Sequence, residues 1–147
     1  MIELPFEVEP LGGPQFCGEF WPLTPEQVET VEARIGWKLD PDYIDFLVEY
    51  GVCRPAVPLH FPNELGADVQ VHSFFGAPVG RPLSMLTGTS DFSAGRTVTG
   101  IATADTGLIV VDEDNRVLFE ASRTGEVLHL ADNFREFVGG LAAVNRL

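Results

Sequence analysis

Between positions 97 and 130 the chain alternates four apolar runs with three short polar breaks, and no other stretch constrains the fold as strongly. The runs cover 97–104, 108–111, 117–121 and 127–130. The breaks are Asp105-Thr106-Gly107, Asp112-Glu113-Asp114-Asn115 and Arg123-Thr124-Gly125, rich in residues that suit tight turns. A parallel crossover needs a dozen or more residues, so connections this short force consecutive strands to pair antiparallel. A four-strand meander is predicted. The run 108–111 is apolar at every position, so that strand should be covered on both faces.

Helix signals flank this region. Thr24-Pro25-Glu26-Gln27 offers a cap, a proline for the first helical position and the glutamine of a capping box. Val28, Val31 and Ile35 then share one face, and Gly36 follows as a stop. The pattern repeats at once: Asp40 caps, Pro41 opens, and Tyr43, Phe46, Leu47 and Tyr50 form a stripe ended by Gly51. Trp37 and Leu39 are expected to plug the junction of the two helices. A last helix starts at Asp132 or Asn133 and buries Phe134, Phe137, Val138 and Leu141. Gly139-Gly140 weakens it by about 1 kcal/mol per glycine relative to alanine, so either the helix frays there or another backbone approaches closely.

Residues 1–22 read as an extended arm with room for one short strand. Positions 69–75 alternate as a strand. Residues 76–96, rich in Gly, Pro, Ser and Thr, read as a long loop with a helical turn around 83–86. The 147 residues suit a single domain over 1–147. The fold class is α+β: a mostly antiparallel sheet with a C-terminal four-strand meander, packed against two N-terminal helices and one C-terminal helix. Val31, Ile35, Phe46, Leu47, Val110, Phe119, Phe134 and Phe137 are the expected core.

Charge bounds the partners. Asp and Glu total 22 against 9 Lys and Arg, a formal net charge of -13. Nucleic acid and anionic membrane surfaces would repel such a chain, while basic partners would be drawn to it. No stretch approaches the roughly 20 apolar residues of a membrane span. The acidic, proline-broken N-terminus lacks the features of a secretory signal, so a cytoplasmic protein is expected. Cys17 and Cys53 are then expected to stay reduced.

Catalytic and metal motifs are not visible. His60, His72 and His129 are far apart and lack metal-type spacing. Cys53 follows a helix C-terminus, the wrong end to activate a thiol. The Asp112–Asn115 turn lacks the glycine and distal glutamate of an EF-hand loop. No phosphate-binding glycine motif occurs. No cofactor and no metal are expected.

The order of motifs carries a resemblance. Thr24-Pro25-Glu26-Gln27, Val31-Glu32-Ala33-Arg34-Ile35-Gly36, Leu39-Asp40-Pro41-Asp42-Tyr43-Ile44-Asp45-Phe46-Leu47 and Tyr50-Gly51 resemble the opening of the SUKH superfamily. Asp40 stands inside the leucine–proline step usual there. The later run Ile101-Ala102-Thr103-Ala104-Asp105-Thr106-Gly107, the hairpin after it, and Ala131-Asp132-Asn133-Phe134-Arg135-Glu136-Phe137 also fit. The resemblance spans about 24–141. It implies helices packed on an antiparallel sheet, no shared catalytic residues, and a bacterial immunity protein that binds and neutralises a cognate toxin, often a nuclease.

Three readings follow. The leading one is an immunity protein holding a basic toxin domain. The second is a general interaction or regulatory module. The third is an enzyme built on Cys53 or a histidine cluster. Two acidic clusters are the candidate partner contacts: Asp42, Asp45 and Glu49 on the outward side of the second helix, and Asp112, Glu113 and Asp114 at one hairpin turn.

Overall fold

Each helix begins where a side chain can accept the free N–H groups of its first turn. In the computed structural model, α1 spans Pro25–Ile35. Thr24 Oγ1 accepts from the Gln27 N–H at 3.2 Å, and Gln27 Oε1 accepts from the Thr24 N–H at 2.8 Å, closing the capping box. α2 spans Pro41–Glu49, and Asp40 Oδ1 accepts from the Asp42 N–H at 3.0 Å. α3 spans Phe134–Gly140 with Asn133, not Asp132, as its cap. The second oxygen of Asp40 accepts from the Phe134 N–H at 3.0 Å. One carboxylate therefore serves the first turns of two helices and fixes where α3 lies against α2.

The structure describes residues 4–10, 22–51, 53–57, 59–61, 69–74, 90–93, 96–121 and 124–143. Their strands are β1 Val8–Glu9, β2 Arg54–Pro55, β3 Leu59–Phe61, β4 Val69–Phe74, β5 Ser90–Ser93, β6 Arg96–Ala104, β7 Gly107–Asp112, β8 Val117–Ala121, β9 Val127–Ala131 and β10 Ala142–Ala143. The main sheet runs β10-β3-β4-β6-β7-β8-β9, with β5 also paired to β6, and every pairing is antiparallel. The meander is β6 to β9, as its short turns predict. β1 and β2 form a small separate ribbon, which supplies the short strand expected in the arm. The fold class is α+β.

Two expectations need correction. The loop expected at 76–96 contains β5 and the first residue of β6, while 75–89 and its helical turn lie outside the described residues. The close approach at the glycine pair is by an aromatic ring, not a backbone. A Cβ on Gly140 would sit 2.7 Å from Phe61 Cε2, so only glycine lets Phe61 stack beside Phe137 there.

All three helices bury their stripes on one face of the sheet. Phe46 sits at the centre, with ring centroids 5.0 Å from Phe74 on β4 and 5.4 Å from Phe134 on α3. Val31, Phe46, Leu47, Phe119, Phe134 and Phe137 are buried there. The side chain of Ile35 lies outside the described ones. β7 is covered on both faces: Ile109 and Val111 face the main core, while Val110 joins Val98 and Leu118 in a smaller cluster. Among the described residues no helix is long and apolar enough to cross a membrane.

Candidate partner-binding surface

The β7–β8 turn is built around one buried carboxylate. Asp112 is 1% exposed. Its Oδ1 accepts from the Asp114 N–H at 2.9 Å and the Arg116 N–H at 3.0 Å. Its Oδ2 accepts from Arg116 Nε at 2.9 Å and lies 2.9 Å from Arg116 Nη2. The Asn115 N–H closes the turn on the Asp112 carbonyl at 2.8 Å, with Asn115 at φ 62°, a value that asparagine tolerates better than most residues. The three exposed acids expected at this turn are thus two. Asp112 points inward because the turn needs an acceptor for its own N–H groups. Glu113 and Asp114 remain exposed.

This turn docks on the α1–α2 junction. Asn115 Nδ2 donates to the Lys38 carbonyl at 2.9 Å. Leu39 plugs the junction as expected, but Trp37 does not; it is only half-buried and packs against the edge of the core. A surface groove opens there, lined by Glu29, Glu32, Ala33, Gly36, Trp37 and Lys38. Glu32 is committed to structure: it accepts from the Leu39 N–H at 2.7 Å and lies 3.6 Å from Lys38 Nζ. Glu29 is exposed. The Trp37 Nε1–H and Asn115 Oδ1 are buried without a hydrogen-bond partner. The groove was missed from sequence; its signal was a tryptophan set between Gly36 and Lys38, at a junction too small to swallow it.

The other acidic cluster is engaged differently. Asp42, Asp45 and Glu49 are half-buried on α2, so the expectation of an outward, solvent-facing row is corrected. Arg135 of α3 donates to Asp42 through Nε at 3.1 Å and Nη2 at 3.0 Å. These bonds hold the Asp42 carboxyl below its ordinary pKa, against a smaller opposing effect of burial. Glu49 takes a hydrogen bond from Tyr50, which with burial pushes the phenol up to about 12. Of the three, Asp42 meets α3, because Asp40 pins the start of α3 beside the first turn of α2.

The reactive side chains are dispersed. Burial pushes the Cys53 thiol up to about 12, which leaves almost no thiolate at neutral pH. Cys17 lies outside the described residues. His60 is on β3, His72 on β4 and His129 on β9, where His129 Nε2 lies 3.0 Å from Asp132 Oδ1. Among the described residues no three His, Cys, Asp or Glu side chains gather as metal ligands.

No curated relative and no solved structure matches the chain. A family model does match, over residues 22–140, which includes α1 to α3, the whole meander and the groove over Trp37. With the motif order, the helix starts and the antiparallel sheet agreeing over that span, the chain belongs to the SMI1 / KNR4 family (SUKH-1).

Proposed function

We propose that this chain is an immunity protein that binds and neutralises a basic toxin domain, such as a nuclease, in the cytoplasm of the cell that makes it. It acts by occupying the toxin, without catalysis, cofactor or metal. Family membership supports an interaction role, and the dispersed histidines and protonated Cys53 thiol favour binding over chemistry. The observation that carries the reading is the acidic surface around Trp37. Glu29, Glu113 and Asp114 are exposed there, on a chain of net charge -13. Such a surface speeds capture of a basic partner, which matters when the free toxin is lethal. Asp42 serves mainly to seat α3 through Arg135, and Asp112 to build its turn.

The test is co-expression with the product of the adjacent gene, followed by purified association kinetics. The chain should rescue growth and bind that product. Glu113→Gln with Asp114→Asn should slow association at low salt, and the difference should shrink as salt rises. A chain that neither binds nor protects against the neighbouring product sinks the reading.

A further inference from the structure

We propose that the groove over Trp37 seats an arginine side chain projected by the basic partner, with its guanidinium against the indole and between Glu29 and the acids of the β7–β8 turn. The inference rests on the binding role proposed above and assigns it a place and a side chain. Three observations converge. First, Trp37 is a large aromatic held half-out of the core, although Leu39 alone fills the junction beneath it. Tryptophan is among the residue types enriched at the energetic centres of interfaces. Second, its Nε1–H is buried without an acceptor, so no hydrogen bond fixes the indole, and it can adjust to a guest without losing one. Third, the charge is one-sided. The described ionisable side chains of the groove and adjoining turn are Glu29, Glu32, Asp112, Glu113 and Asp114, five acids against the two cations Lys38 and Arg116. Both cations are already drawn to acids: Lys38 to Glu32, and Arg116 to Asp112 and Asp114.

Arginine fits this setting better than lysine. The guanidinium is planar, weakly hydrated and able to stack on an indole while its edge donates to carboxylates. An ammonium gives up more hydration for a point contact. The Asn115–Lys38 hydrogen bond joins the turn to the groove, so the aromatic face and the exposed acids belong to one surface.

The experiment uses the full chain and two probes of equal charge, an Arg-Gly-Arg-Gly-Arg peptide and its lysine counterpart. The indole N–H resonances of Trp21 and Trp37 are assigned with W37F and followed by NMR during titration. The arginine peptide should shift the Trp37 signal saturably and bind at least threefold tighter than the lysine peptide. Glu29→Gln, or Glu113→Gln with Asp114→Asn, should weaken it about fivefold, and Glu136→Gln should leave it unchanged. By calorimetry W37A should weaken binding about three- to tenfold. W37F keeps a ring against the core and should weaken it less, which separates lost recognition from lost folding. Equal binding of the arginine peptide by wild type, W37A and W37F overturns the proposal, as does a Trp37 signal that does not move. Toxin protection is scored in parallel. If the wild type protects while W37A and W37F protect as well and bind the peptide unchanged, the groove falls and the immunity reading stands. If the wild type does not protect, that reading falls, and the titration still decides the groove.

Discussion

Replacing Asp112 tests whether this acid builds the turn or meets the partner. Asp112→Asn keeps one carbonyl oxygen, which can still accept from the Asp114 and Arg116 N–H groups. It loses the oxygen that takes Arg116 Nε. A hydrogen bond to a charged group contributes about 1.5–3 kcal/mol, and exposure of the Arg116 side chain reduces that. The Arg116 side chain is 37% exposed, so a cost of about 1–2 kcal/mol is expected for the asparagine. Asp112→Ala also strands two backbone donors and leaves Arg116 without its buried partner. Its cost should reach about 3–5 kcal/mol. Glu113→Gln, on the exposed position next door, should stay within about 0.5 kcal/mol. Urea unfolding measures all three, with an unchanged slope confirming that midpoints report stability. If alanine proves no worse than asparagine, or both fall below about 0.5 kcal/mol, the turn does not depend on this carboxylate and the argument fails.

Phe46→Ala removes the ring that joins α2 to β4 and α3, and should cost about 3–5 kcal/mol in urea unfolding; less than about 1 kcal/mol would place Phe46 outside the core. In a Cys17→Ser background, Cys53 should resist a thiol reagent at pH 8 while folded and react once unfolded; rapid reaction of the folded chain would contradict its burial. Asp42 has a lowered folded pKa, so the stability it brings is complete above its ordinary value of 3.8 and is lost as pH falls through the lower folded value. Arg135→Met should therefore be less stable than wild type at pH 7, with the gap closing in strong acid; a gap independent of pH would refute the pairing.

The helices and the meander were legible because their signals are local. Thr24-Pro25-Glu26-Gln27 carries its own cap, and Asp105-Thr106-Gly107 is too short for anything but a hairpin. β2 and β10 have two residues each and β3 has three, lengths at which alternation has no statistical content. The acids were harder. Asp112 and Glu113 look alike in sequence, but Asp112 is the last residue of β7, paired across from Val98, and so is drawn into the sheet. Asp42, Asp45 and Glu49 are spaced to share one side of α2, yet Asp42 is held by Arg135 of α3, because Asp40, 94 residues before Phe134, accepts from the first turns of both helices. No local pattern encodes that contact. Trp37 and Leu39 look equally suited to plug the helix junction in sequence, but only Leu39 is buried there.

The acids thus divide by what they do. Asp40, Asp42, Glu32 and Asp112 hold the fold together through named partners. Glu29, Glu113 and Asp114 are exposed beside the groove, and Asp114 lies 3.5 Å from Arg116. A net charge of -13 makes the compact chain repel itself, so each such acid carries a small cost to folding. Neutralising Glu29 and Glu113 together should therefore raise the urea midpoint slightly at low salt, while slowing capture of the basic partner. Neutralising Asp40 or Asp112 should lower the midpoint instead. Salt separates the two effects further, because screening removes both the repulsion and the steering of exposed charges but spares buried pairs. If Glu29→Gln with Glu113→Gln destabilises the chain at every salt concentration, those acids support the fold, and the surface around Trp37 loses its claim as the part of this molecule kept for a partner.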